Sequence, residues 1–261
     1  MGKKTIAVLY GGRSSEHEIS IMTALQAMEA IDPLAYHAIP VYLDLDGKWY
    51  TGDALQQITS YRHFDKFKKG LQEIVLLPDP SIQGFLKVIR GSIDIRKVIK
   101  VDACLLAFHG QYGEDGCVQG LLELAEIPYT GCTVAASALS MNKIMSKKIA
   151  ESEKIPVIPY MQVKRRDALN RIESLCDQIE NRFEKIVPLF IKPVHLGSSI
   201  AISRVFDRIG LKNALTKVFQ FDTEALIETC ITDILEINVA VIDKDPPIAS
   251  VVEIPIGSDG L

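Results

Sequence analysis

The sequence contains no Cys-x-x-Cys pair, no apolar run approaching the roughly 20 residues that cross a bilayer, and no surplus of positive charge. Its five cysteines, Cys104, Cys117, Cys132, Cys176 and Cys230, are odd in number and scattered, which argues against both a disulfide framework and a zinc site. Most have apolar neighbours, so buried packing in a reducing compartment is their expected role. Lys and Arg total 29 against 33 Asp and Glu, a net charge of −4, so no general attraction to nucleic acid or to an anionic membrane is expected. The apolar stretch Ile6 to Tyr10 is too short for a signal-peptide core and runs into Gly11-Gly12. Internal repeats, low-complexity tracts and a Walker phosphate loop are absent as well. A cytoplasmic protein whose partners are small molecules is expected.

With 261 residues, 48% of them hydrophobic, the chain is long enough for two compact units. Thr5 to Tyr10 reads as a buried strand, and Gly11-Gly12 as the turn after it. A helix follows, with Ser15 and Glu18 at capping-box spacing and an apolar face of Ile21, Ala24, Leu25 and Met28. Further strands are expected at Tyr36 to Leu43 and Val101 to Phe108, alternating with helices as in a parallel sheet. Residues 44–100 read as an elaboration of this unit. From Asn142 a helix runs through Glu153, a strand follows at Ile158 to Val163, and a helix from Asp167 carries Leu169, Ile172, Cys176 and Ile179. Strands are then expected at Val187–Ile191, Ile200–Val205, Ala225–Glu228, Ile237–Ile242 and Ala249–Glu253, with a helix over Ile209–Phe219.

Four places carry chemistry. Gly11 to Glu18 sets glycines, hydroxyls and acids between a strand end and a helix start, where Glu16 could hold an ammonium or Ser15 and Glu18 could simply cap the helix. His109 to Gly116 forms a glycine-rich loop beyond the carboxyl end of a strand, the usual ligand edge of an open α/β sheet. In Phe190 to Ile200, Lys192 ends an apolar strand ahead of Gly197, Ser198 and Ser199, a loop suited to phosphate. Glu228 and Glu236 stand at strand ends, where carboxylates can accept from an adenine amino group or ribose hydroxyls.

Taken in order, AVLYGGRSSEHEIS from Ala7, HGQYGEDGCVQGLLELAEIPYTG from His109, ASALSMNK from Ala136 and IKPVHLGSSI from Ile191 resemble the signature blocks of the D-alanine:D-alanine ligase family of ATP-grasp enzymes. The resemblance runs from Ile6 to Pro255, loosely over residues 44–100. It implies an α/β fold: a doubly wound, Rossmann-like substrate domain over residues 1–139, an ATP-grasp central domain over 140–231, and the start of a C-terminal ATP-grasp domain over 232–261. It also implies joining of two D-alanines through an acyl phosphate made from ATP, for peptidoglycan precursors. On this reading Glu16 binds the first D-alanine's ammonium, His109 lies near its carboxylate, and Ser198 orients Glu16 and the second substrate. Lys143 and Lys192 bind ATP phosphates with the Gly197 and Ser199 loop, Glu228 and Ile231 contact adenine, and Glu236 holds the ribose. Lys147 and Lys148, on the helix after Lys143, are expected to be solvated.

Three local departures stand out: Asn142 where the family has aspartate, Ala201 where glycine is usual, and Thr232 to Leu235 where a glycine-bearing turn is usual. The resemblance further implies magnesium, with its ligands in a segment beyond Leu261, so that the chain ending there is expected to lack turnover. D-alanine:D-lactate ligase and a non-catalytic, nucleotide-binding paralogue remain alternatives. Family members are often dimeric, which leaves a homodimer open.

Overall fold

A computed structural model describes residues 2–168, 171–184, 188–232 and 234–255. The first half builds a seven-stranded sheet from β1 (Lys4–Gly11), α1 (His17–Ala30), β2 (Tyr36–Leu43), β3 (Trp49–Thr51), α2 (Phe64–Phe67), β4 (Gln72–Val75), β5 (Gly84–Ile89), β6 (Ser92–Lys100) and β7 (Ala103–Leu106). Strand order is β6-β5-β4-β3-β2-β1-β7. The β2-β1-β7 centre is parallel, while β3 to β6 extend it as an antiparallel meander. Residues 44–100 thus widen the sheet rather than forming a separate layer.

The period-2 alternation of β1 separates two cores. Ala7 and Leu9 pack with Cys104, Phe108, Val118 and Leu122 beneath α3 (Cys117–Leu124), and Val8 and Tyr10 pack with Ile21, Ala24 and Tyr42 beneath α1. Helices therefore cover both faces, the doubly wound arrangement expected from the sequence. The stripe on α1 is the expected one, with Ile21 and Ala24 buried and Leu25 and Met28 packed at the edge.

The chain continues through α4 (Val134–Met141), α5 (Lys143–Ser152), β8 (Tyr160–Lys164), α6 (Arg165–Ala168), α7 (Ile172–Arg182), β9 (Leu189–Pro193), β10 (Ser203–Val205), α8 (Arg208–Phe221) and β11 (Glu224–Thr229). An antiparallel sheet of order β10-β9-β11-β8 results. Ile191, Ala225 and Ile227 bury one face against Cys176, Ile179, Leu211 and Leu215 of α7 and α8. Each fully buried Ile or Leu among them stabilises the fold by roughly 1.5–3 kcal/mol. On the opposite face Val194 and Leu226 pack with Ile144 of α5. That side also carries Lys192 and Glu228, so strand alternation delivers both charged groups to α5.

Several expectations are corrected. No capping box forms: α1 starts at His17, Glu16 occupies the cap position without a side-chain cap, and Ser15 and Glu18 are exposed. The strand expected at Val101–Phe108 contracts to β7. The helix expected from Asp167 is two pieces, α6 and α7, and Leu169 lies outside the described residues, as does Val187 of the next expected strand. The strand expected from Ile200 starts at Ser203, because Ser198, Ser199 and Ala201 take φ of 46°, 57° and 57°, incompatible with extended backbone. Beyond β11, the two expected strands shrink to β12 (Val241–Ile242) and β13 (Ile248–Ala249), with an isolated bridge between Asn238 and Glu253. Among the cysteines, Cys104 and Cys176 are buried, with burial pushing the Cys104 thiol up to about 12, but Cys117 and Cys132 are exposed. No helix among the described residues is long and apolar enough to cross a membrane.

Candidate active site

Glu16 sits where the carboxyl end of β1 gives way to α1. Two serines brace this turn. Ser20 Oγ accepts from the Gly11 amide (2.8 Å) and donates to the Ala107 carbonyl (2.7 Å), tying the ends of β1 and β7 together. Ser14 Oγ donates to the His109 carbonyl (2.7 Å) and accepts from the Glu16 amide (3.1 Å). His17, to which the sequence reading gave no role, is buried between the Gly12 carbonyl (2.7 Å) and the Tyr42 hydroxyl (2.9 Å).

The Glu16 side chain is 5% exposed. Ser198 donates its hydroxyl to Oε1, while Oε2 is buried with no partner. Two glycines make room for the carboxylate. A Cβ on Gly110, whose φ is +75°, would lie 2.5 Å from Oε2, and one on Gly197 would lie 3.2 Å from either oxygen. A buried carboxylate oxygen without a donor is costly, so this one is suited to a ligand that brings its own N–H groups. His109 is close by, with Nε2 2.8 Å from Thr23 Oγ1 and Nδ1 3.7 Å from Glu114 Oε1. The Gly110 amide donates to Glu114 Oε2 (2.7 Å), closing the glycine-rich loop.

Positive charge gathers on the α5 side. Lys143 opens α5; its amide donates to the Val194 carbonyl (3.2 Å) and its ammonium to the Leu196 carbonyl. Burial, and then the neighbouring Lys192 charge, hold the Lys143 pKa below its ordinary value, against the pull of Asp222, Glu228 and Glu16. Lys192 Nζ lies 3.1 Å from Glu228 Oε2, and Lys147 Nζ lies 3.2 Å from Glu228 Oε1. Lys147 is therefore not solvated as expected: its side chain is 15% exposed, donates to the Ile158 carbonyl and stands over the Tyr160 ring. Lys148 is exposed, as expected. The i, i+4 spacing of Lys143 and Lys147 was the available signal, since it puts both on one helix face.

The loop from Val194 to Ala201 is anchored by contacts not visible in the sequence. Asn142 Oδ1 accepts from the Ile144 and Met145 amides, capping α5, while its Nδ2 faces His195 Nε2 at 3.0 Å. His195 Nδ1 meets Asp222 Oδ1 at 3.0 Å, and the His195 amide donates to Asp222 Oδ2 at 2.7 Å. The Asp222 hydrogen bond moves the His195 pKa up; burial opposes a low pKa for Asp222, but its bonds from His195 hold it below the ordinary value.

Glu16, Ser198, His109, Lys143, Lys192, Gly197 and Glu228 thus border one region. Ser199 is exposed on the loop. Ile231 and Glu236 lie on the exposed segment after β11, and Glu236 makes no hydrogen bond or ion pair among the described residues. A cavity of about 860 Å³ lies elsewhere, lined by His17, Tyr42, Tyr61 and Phe64. It includes none of Glu16, His109, Lys143, Lys192, Gly197, Ser198 and Glu228, and the unpartnered oxygen of Glu16 marks the ligand site better than volume does.

Residues 5–132 match the family model described as D-ala D-ala ligase N-terminus, and residues 149–259 match its C-terminus counterpart. D-alanine–D-alanine ligases of Chlorobium limicola and Chlorobaculum parvum are each 37% identical to the chain, over 99% of it and 70% of their own length. Among solved structures, the D-alanine–D-alanine ligase from Coxiella burnetii superposes with a TM-score of 0.82 at 31% identity, over 97% of this chain and 71% of that one. The VanG D-Ala:D-Ser ligase from Enterococcus faecalis gives 0.80 at 32%, over 96% and 69%. The family models, the sequence identity and the shared fold agree, and the chain belongs to the D-alanine–D-alanine ligase family.

Proposed function

We propose that this chain binds D-alanine and ATP for the ligation of two D-alanines. The observation that carries the reading is the buried Glu16 carboxylate, one oxygen unpartnered, beside the Lys143 and Lys192 charges. The first D-alanine places its ammonium on Glu16 Oε2, with its carboxylate toward His109. One oxygen of that carboxylate takes the γ-phosphoryl group, forming a P–O bond as the bond to ADP breaks. The second D-alanine, its ammonium having given up a proton to solvent, attacks the acyl carbon; the C–N bond forms as the acyl C–O bond to phosphate breaks, inorganic phosphate leaves and the amide nitrogen sheds its remaining extra proton to solvent. Lys143, Lys192 and the Gly197–Ser199 loop neutralise and position the phosphates, which is most of what phosphoryl transfer requires of a protein. Glu228, paired to two lysines, fixes their positions as well as offering an acceptor to adenine; Ile231 and Glu236 are the proposed adenine and ribose contacts.

The family resemblance implies magnesium, but no group of three or more His, Cys, Asp or Glu side chains among the described residues could hold a metal ion. No described residue is therefore assigned to hold that ion, and no step is routed through it. The same reading divides the chain at 139/140 and 231/232 and places it in cytoplasmic peptidoglycan precursor synthesis, with a homodimer as its assembly. The test is calorimetric binding of D-alanine and of a non-hydrolysable ATP analogue to the chain, each alone and both together. Binding of both is expected; nucleotide binding with no bound D-alanine would favour the non-catalytic reading, and preferred binding of D-lactate or D-serine as the second substrate would revise the substrate.

A further inference from the structure

Asn142 has two jobs with opposite polarity. Its Oδ1 is committed as the acceptor of two α5 amides, so Nδ2 is the atom facing His195, and it can only donate. The ring nitrogen it meets, Nε2, must then accept, which puts the imidazole proton on Nδ1, where Asp222 receives it. Protonating Nε2 as well would set two donors against each other. Asp222 also accepts the backbone amides of His195 and Glu224, so this one carboxylate clamps the start of the loop to the start of β11. At the loop's other end are Gly197 against Glu16 and Ser198 donating to it; in between, the Leu196 carbonyl receives the Lys143 ammonium.

We propose that Asn142, His195 and Asp222 form a positioning chain that locks the phosphate-side loop to the start of α5, with His195 neutral and protonated on Nδ1. The proposal deepens the nucleotide-binding reading and rests on it for its functional consequence. All three act through their neighbours: they set where the Lys143 ammonium, the loop amides and the Ser198 hydroxyl stand. Besides Asp222, the charges acting on His195 are Glu224, which favours its protonation, and Lys143, which opposes it. Asn142 tips the balance by offering a donor where aspartate would offer an acceptor.

Two measurements test this. Long-range proton–nitrogen NMR of the chain at neutral pH should show His195 Nε2 unprotonated and Nδ1 protonated, and Asn142→Asp should convert the ring to the doubly protonated form while keeping the helix cap. The opposite tautomer, or an imidazolium in the wild-type chain, overturns the proposal. In calorimetric titrations with a non-hydrolysable ATP analogue, His195→Ala should weaken binding about tenfold. His195→Asn, whose amide restores a donor near the Nδ1 position, should recover most of that loss. Equal affinity of both variants and wild type would remove the positioning role. No binding by the wild type would instead count against the nucleotide reading, leaving the NMR result to decide the hydrogen-bond chain.

Discussion

Lys143 is where burial and charge conflict most directly. Its pKa is held down by burial and by Lys192, and a bound polyphosphate would push it back up. Between the two values, binding takes up a proton, so nucleotide affinity is full at neutral pH and falls as pH rises through that window, which lies below or near 10.5. Affinities of an ATP analogue measured from about pH 7.5 to about pH 10 should show this decline, and Lys143→Arg, which stays charged, should flatten it. A decline of equal size in the arginine variant would assign it to another group. Lys147 gives a second residue-scale prediction. Removing it strips one of two cations from a buried carboxylate, so Lys147→Ala should cost about 1–3 kcal/mol in urea unfolding. The exposed Lys148→Ala control should stay within about 0.5 kcal/mol. Equal stabilities would mean that the Lys147–Glu228 pair at 3.2 Å contributes nothing.

At the scale of elements, the loop between β9 and β10 stores strain. Ser198, Ser199 and Ala201 all take left-handed φ, and Ala201 is 6% exposed, with no side-chain polar atom to compensate. Ala201→Gly relieves roughly 1–2 kcal/mol of left-handed strain, against about 0.5–1 kcal/mol of extra backbone entropy in the unfolded chain. A net gain of about 0.5 kcal/mol in denaturant unfolding is expected; a loss would show that the alanine methyl packs better than its backbone suffers. The elements carried by long periodic patterns, β1, α1, β2 and α8, were readable from the sequence, because one buried face repeats along each of them. The interrupted ones were not. Nothing in the local pattern reveals that Gly110 and Gly197, 87 positions apart, close on the same carboxylate, or that His195 reaches Asp222 across 27 residues. The candidates Glu16, Ser198, Lys143, Lys192 and Glu228 could be named because the motifs keep their order, whereas the tethers holding them arise from tertiary contact alone.

At the scale of the whole molecule, the two sheets differ from the segment that follows them. Each sheet has its own apolar core, but Ile234, Leu235, Ile237, Val241, Val251 and Val252 are all more than half exposed. Exposed apolar side chains concentrated along one segment are suited to packing against further protein. The chain spans about 70% of the length of the curated relatives from Chlorobium limicola and Chlorobaculum parvum. The proposed substrate site joins the two sheets: Glu16, after β1 of the first, is met by Gly197 and Ser198 from the loop after β9 of the second, and its unpartnered oxygen is the proposed acceptor for the D-alanine ammonium. The most direct test is D-alanine and ATP-analogue binding to wild type and Glu16→Gln, measured side by side by calorimetry. The charge-assisted bond is worth roughly 1.5–3 kcal/mol, so the account predicts D-alanine affinity weakened roughly ten- to hundredfold with analogue affinity unchanged. Unchanged D-alanine affinity in the glutamine variant would contradict it.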